Sequence, residues 1–344
     1  MALRYGNLYG PRSEQTVVVI DGGFTDDGEA LLEHIKTHYG TDTVDFVVST
    51  HPDQDHVSGL EVVLEELNVG TLLMHRPWLH SGTMASARQT RCVKAALSEK
   101  LEKSLQEASD LEDIANRRGV DIVEPFTGVG AKDGAFRILG PSETYYEQLL
   151  STIQAPAAGT RSARPYDWLL KAKQVAWKLV PETIHVKTLR DDGVTSTTNS
   201  TSAICLLTID GRKLLFTGDA GIEALELAVA VLEAEGFIPG DLKFCQIPHH
   251  GSRRNVGPSI LNRILGPKGQ SATHSTAYVS APPENPEKKH PAKKVTNAFI
   301  RRGYAVHATE DLTRLHYRKA PERDGWSTGQ PLPFHTQVEE DSES

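Results

Sequence analysis

A chain of 344 residues, 38% hydrophobic and 24% charged, has an ordinary globular composition and is long enough for one large α/β domain with insertions or for two domains. Its formal net charge of −8 excludes nucleic-acid binding through a uniformly basic surface, though not through a local basic groove. No run reaches the roughly 20 apolar residues of a membrane span, and MALRYGNLYGPRSEQ holds no apolar signal core. Cys92, Cys205 and Cys245 are scattered and read as reduced, buried small hydrophobes. The expectation is a soluble, cytoplasmic protein with no membrane partner.

Thr16–Ile20, TVVVI, reads as a buried strand stopped at Asp21-Gly22-Gly23. Leu31, Leu32 and Ile35 share one face of a helix expected over Asp27–His38, and Val44–Ser49 reads as a second buried strand. The polar run His51-Pro52-Asp53-Gln54-Asp55-His56 follows, before a helix expected to begin near Gly59, with Leu60, Val63, Leu64 and Leu67 on its apolar face. Strand, polar loop, helix is a layout that places ligands at the carboxyl end of a strand.

Thr71–Met74 is strand-like. From about Ser81 to Arg118 the chain is rich in Lys, Glu and Ala and reads as a long polar helix or helical pair. Residues 154–190, with Trp168 and Trp177, form a second irregular stretch, and both are expected to be insertions or caps. Between them, Ala135–Leu139 reads as a strand and Ser142–Leu150 as a serine-capped helix. Ser202–Ile209 and Lys213–Thr217 form a predicted hairpin across Asp210-Gly211. A helix over Ile222–Glu235, strands at Leu242–Ile247 and Ala277–Ser280, a helix at 292–302 and an extended Ala305–His307 complete the alternation. From Pro321 onward the chain, ending VEEDSES, is expected to be disordered.

His51, Asp53, Asp55 and His56 fall at i, i+2, i+4 and i+5. A solvated turn holds one or two such residues routinely; four within six is dense for that role. Imidazole with carboxylate suits Zn, Mn or Fe better than Ca. Asp219, taken alone, reads equally as a ligand or a helix N-cap. His75 is placed to reach the site from a neighbouring loop, whereas His34, His38 and His80 read as surface or structural. His274, His307 and His316 lack partners at useful spacing.

THPDQDHVSGL resembles the metallo-β-lactamase superfamily signature, usually HxHxDH. A strand ending IDGG precedes it; LLFTGDAG with Asp219, QIPHHGS with His249 and His250, and the pair His290-Pro291 follow. This combination resembles the hydrolase domain of the bacterial DNA-uptake protein ComEC. The resemblance implies an α/β, four-layer αββα sandwich over 1–320, with helical insertions at about 80–120 and 154–190 and an acidic tail at 321–344. It implies metal ligands at His51, Asp53, Asp55, His56, Asp219 and one of His249 and His250, with Asp219 bridging two ions. Asp55, Asp219 and His290 are the expected catalytic residues. Asn199, Ser252 and Arg253 are candidates for substrate contact, together with Arg254, Lys288 and Lys289; a polar, solvent-facing turn is the plain alternative for those that follow the His pair.

Two departures bear on the metal. Asp stands at position 53 where the family has His, which makes the first position richer in oxygen and shifts preference from Zn toward Mn or Mg. The histidine usually found ahead of the TGD strand has no counterpart in Thr197-Thr198-Asn199-Ser200-Thr201-Ser202, as in the ComEC-like branch. One or two divalent ions, Zn or Mn with Mg as a further option, are the expected cofactor. The expected activity is that of a nuclease or related phosphodiesterase using a metal-activated water. Its nucleic acid would be found through the inserted caps or a protein partner in a bacterial system. A small-molecule hydrolase of a lactone, thioester or cyclic nucleotide is the second reading, and a non-catalytic binding module the third, since fold alone does not choose.

Overall fold

The computed structural model describes residues 1–80, 99–154, 179–183, 188–269, 275–281 and 290–339. The architecture follows from alternation along β2 (Gln15–Ile20). Val17 and Val19 pack with Ile35, Leu60, Val63 and Leu64 of a helical layer. Val18 and Ile20 pack with Phe136, Cys205, Phe216 and Phe244 of a facing sheet. Successive side chains of a strand point to opposite faces, so a strand buried on both needs a layer on each.

The first sheet runs β1 (Ala2–Gly6), β2, β3 (Thr43–Val48), β4 (Asn68–Leu73), β5 (Asp121–Val123), with β1 antiparallel and the rest parallel. Its outer face carries α1 (Thr25–His34), α2 (Gln54–Glu66) and α3 (Glu99–Arg118). The second sheet contains β6 (Phe136–Gly140), β8 (Ile204–Ile209), β9 (Arg212–Phe216), β10 (Leu242–Gln246), β11 (Ser275–Val279) and β12 (Tyr304–Ala308) in the order β12-β11-β10-β9-β8-β6. α4 (Glu143–Gln154) lies beside the sandwich, its N–H at Tyr145 capped by Ser142 Oγ at 3.2 Å. α5 (Ile222–Ala234), α6 (Pro258–Leu265) and α7 (Lys293–Ile300) cover the outer face of the second sheet through Leu225, Val229, Ile260, Val295 and Phe299. The result is the four-layer αββα sandwich expected of the metallo-β-lactamase fold.

Three expectations change. The helix α2 starts at Gln54, not near Gly59, with Asp53 extended as its N-cap residue, so Asp55 and His56 sit in its first turn. Of the stretch expected as an insertion, residues 81–98 lie outside the described residues. Residues 99–118 are instead the crossover helix α3 between the parallel strands β4 and β5, with Ala108, Leu111 and Ala115 buried against α2. Its Lys- and Glu-rich outer face hides that apolar stripe from a composition reading. Lastly, the chain beyond Pro321 is not wholly disordered. β13 (Gln337–Glu339) pairs antiparallel with β7 (Leu179–Pro181), Val338 is fully buried, and Glu339 accepts the Lys293 N–H at 2.9 Å at the start of α7. Residues 340–344, and Trp168 and Trp177 of the second expected insertion, lie outside the described residues.

Candidate metal centre

Glycine contacts build the first half of the site. Gly59 N–H donates to Gly23 O at 2.9 Å and Gly22 N–H to His56 O at 2.7 Å. A Cβ on Gly59 would stand 2.3 Å from Gly22 O, so only glycine permits this backbone approach. The turn after β2 is thereby pressed against α2, and Asp21 Oδ2 comes to 2.7 Å from His56 Nδ1. Asp21 also accepts from Thr50 N at 2.9 Å and Thr50 Oγ1 at 2.8 Å, which fixes the segment leading into His51. Asp53 accepts from Ser104 Oγ of α3 at 3.0 Å instead of capping its own helix.

The second half comes from loops after β9 and β10. Asp219 is not a helix cap; that position belongs to Gly221. Its N–H donates to Ser202 Oγ at 3.1 Å, and Asn255 Nδ2 donates to its backbone carbonyl at 2.8 Å. His249 and His250 both have left-handed backbone, φ 48° and 52°, a conformation costly for a non-glycine residue and held by its surroundings. His250 Nδ1 donates to Ser280 O at 3.0 Å, which turns Nε2 toward Asp55 Oδ2 at 3.2 Å. His249 Nδ1 donates to Asn255 Oδ1 at 3.0 Å, leaving Nε2 3.6 Å from Asp219 Oδ2.

Two overlapping groups emerge: His51, His56 and Asp219, and Asp55, His56 and His250, with the offered ligand atoms of each within 4.8 Å of one another. Asp219 faces both ways. Its Oδ1 lies 3.4 Å from His56 Nε2, and its Oδ2 3.7 Å from His51 Nε2. These two ring nitrogens are buried and make no hydrogen bond. Orphaned imidazole nitrogens converging on a carboxylate are a donor set that fits a divalent ion. Asp53 Oδ2 stands 4.0 Å from His51 Nε2, beside the first group.

The electrostatics agree. Burial opposes ionisation of Asp219, yet His56, His51 and His249 hold it well below the carboxylate range. Burial likewise opposes the His56 imidazolium, but Asp21 and Asp219 raise its pKa well above the ordinary value. Asp55, despite burial, is lowered to about 2 by the His250 hydrogen bond and the charge of His56. Burial and the neighbouring His56 push His51 down, with Asp219 and Asp53 offsetting part of the shift. The constellation stabilises positive charge at its centre.

Other predicted residues fall elsewhere. Asn199 is buried, with Nδ2 3.4 Å from Asp219 Oδ2 and 3.1 Å from His249 Nδ1. That geometry makes it a support for the centre. Ser252 is buried and its hydroxyl accepts the Arg254 N–H at 3.3 Å. Arg253 is partly exposed on the same turn, and Lys288 and Lys289 lie outside the described residues. His290 stacks on His249, ring centroids 6.1 Å apart, but joins neither ligand group. His75 does not reach the site: it stacks on Tyr146 with centroids 4.3 Å apart. Cys205 and Cys245 are buried free thiols, while Cys92 lies outside the described residues. Sequence reasoning missed Asp21, Thr50, Ser104 and Asn255. The IDGG turn was the available signal for Asp21 alone.

A cleft of 2470 Å³ takes Asp55, His56, Asp219, His249, His250 and His290 into its wall. Its floor is apolar, with Leu3, Tyr5, Ile209, Leu214 and Phe244, and Arg4, Arg212, Lys243, Arg314, Arg318, Lys319 and Arg323 also line it, together with Asp27, Asp210 and Asp311. Residues 6–134 match the model of the metallo-beta-lactamase superfamily. That stretch contains the His51–His56 signature, while Asp219, His249 and His250 lie beyond it. No curated protein matches the chain. The superfamily match and the His/Asp groups together point to a metal-dependent hydrolase. Among the described residues no helix is long and apolar enough to cross a membrane.

Proposed function

We propose that this protein is a metal-dependent phosphodiesterase, with nucleic acid as its substrate class. The observation that carries the hydrolase reading is the convergence of the His51–His56 and His249–His250 segments on Asp219, with two buried imidazole nitrogens facing it. His51, Asp53, Asp219 and His249 would hold one ion; Asp55, His56, His250 and Asp219 would hold the other. When bound, a divalent ion supplies Lewis acidity and brings a water pKa from 15.7 toward about 7. Asp55 orients the attacking water, and His290, beside His249 on the cleft wall, protonates the leaving oxygen. Asn199 and Asn255 keep Asp219 and His249 in register.

The phosphodiester reading is supported by the size and charge of the cleft. At 2470 Å³ it exceeds the roughly 300–1,000 Å³ of ordinary small-molecule pockets, and away from the centre its Lys and Arg side chains outnumber Asp27, Asp210 and Asp311, an excess that suits an extended polyanion. The apolar floor favours a second reading, a hydrophobic ester such as a lactone or thioester. Assays on single- and double-stranded DNA, bis(p-nitrophenyl) phosphate, a long-chain lactone and a thioester, with Mn or Zn added, separate the two. The expected outcome is phosphodiester cleavage that Asp219→Ala abolishes. Turnover confined to the lactone or thioester would replace the proposed substrate class.

A further inference from the structure

Away from the His/Asp cluster, the same cleft holds two cations that lack an anionic partner. Arg4, on the edge strand β1, donates through Nη1 to Tyr39 O at 3.4 Å, and its guanidinium carbon lies 4.7 Å from the centre of the Tyr39 ring. Arg323 approaches from the C-terminal segment, with Nη1 3.4 Å from His34 Nε2. Its guanidinium carbon is 5.9 Å from the Tyr39 ring centre and 5.1 Å from that of Trp326. Among the described residues no carboxylate forms an ion pair with either guanidinium. The acid of α1 that shares this wall, Asp27, accepts the Phe24 N–H.

Such an arrangement is unfavourable on its own account. The two guanidiniums repel: burial lowers the Arg4 pKa, and the Arg323 charge adds to that lowering. His34 between them is lowered to about 4 by burial, Arg323 and His38, so it adds an imidazole that stays neutral at pH 7. Neighbouring like charges without a counter-charge, seated on aromatic faces in a cleft, form a site complementary to an anion.

Position decides which anion. Arg4 pairs with Val17 across β1 and β2. Ile20, the end of β2, lies three residues further along, roughly 10 Å at the rise of a strand, and Asp21, which holds His56, follows it in the turn beyond. One phosphate therefore does not meet both the cluster and the guanidinium pair. We infer that Arg4 and Arg323 form a subsite for a second phosphate of the substrate, distant from the one being cleaved, so that the substrate is a nucleic-acid strand spanning the cleft. The inference rests on the phosphodiesterase reading and deepens it.

Binding of a fluorescently labelled oligothymidylate of about ten nucleotides tests it, with EDTA present so that the strand stays intact. Parent, Arg4→Gln, Arg323→Gln and the double variant are titrated across a series of salt concentrations, with exposed Lys132→Gln as a control outside the cleft. Loss of a charge-assisted contact weakens binding on the order of tenfold for each cleft variant. The slope of log K against log salt becomes shallower by about 0.7 for the double variant, the value for one phosphate contact on a single strand. Lys132→Gln binds as the parent does. Unchanged affinity and slope in the double variant, or no binding by the parent, overturns the subsite. Metal-dependent cleavage of bis(p-nitrophenyl) phosphate by the parent reads the phosphodiesterase proposal separately. Cleavage without an arginine effect sinks the subsite alone. Arginine-dependent binding with no cleavage of any phosphodiester sinks the activity alone.

Discussion

Asp21 acts on the centre through His56. Its carboxylate, 2.7 Å from His56 Nδ1, makes that nitrogen the proton donor and leaves Nε2 turned to Asp219. Asp21→Asn removes the charge and is expected to weaken metal binding about 10- to 100-fold, measured by competition with a chromophoric chelator. An affinity equal to the parent's would show that Asp21 supports the fold alone. His75 makes a contrasting case. Burial and the nearby His80 lower its pKa to about 3, and its ring stacks on Tyr146. Its folded pKa lies below the ordinary 6.5 of the unfolded chain, so unfolding takes up a proton. The stability it lends is full above about pH 6.5 and declines as pH falls toward 3. Between pH 8 and pH 5 the loss is about 2 kcal/mol. His75→Phe keeps a ring on Tyr146 and is expected to flatten that part of the stability profile in urea unfolding. A profile as steep as the parent's would assign the acid sensitivity to other groups.

At the scale of elements, the contact between the turn after β2 and α2 sets the geometry of the centre. Alanine is a better helix former than glycine by about 1 kcal/mol, so propensity alone predicts that Gly59→Ala stabilises α2. The added Cβ would meet Gly22 O at 2.3 Å, backbone that cannot move aside, and overpacking of this kind costs about 1–3 kcal/mol. The clash also separates Asp21 from His56. The expected result is net destabilisation together with weaker metal binding; a rise in Tm would mean that the turn and the helix tolerate separation. The same contact explains a misread boundary. The apolar positions that mark this helix in sequence start only at Leu60, yet Gly59 is a point of close approach within a helix that begins at Gln54. α3 misled for a different reason, because its apolar stripe of Ala108, Leu111 and Ala115 is narrow beneath a charged outer face. β13 left almost no local signal: a single buried Val338 in an acidic tail finds its partner β7 more than 150 residues earlier.

Over the whole molecule, the sandwich was legible because most of its strands are short apolar runs closed by Gly, Asp or Pro. Four ligand candidates within six residues are visible in any linear reading. What sequence could not show is how separate segments divide the labour. The choice between His249 and His250 rests on the backbone carbonyl of Ser280 and the side chain of Asn255, which orient the two rings differently. Asn199, expected at the substrate, faces Asp219 and His249, and Ser252 accepts an N–H within its own turn. Asp219 is the carboxylate that the two proposed metal positions would share. Metal content of the purified protein, parent against Asp219→Asn, after incubation with Zn or Mn and removal of free ion, tests this most directly. The prediction is one to two equivalents of metal per parent chain, and a variant that folds with a similar Tm yet retains little of either. A variant that keeps the parent's metal content would contradict the shared centre.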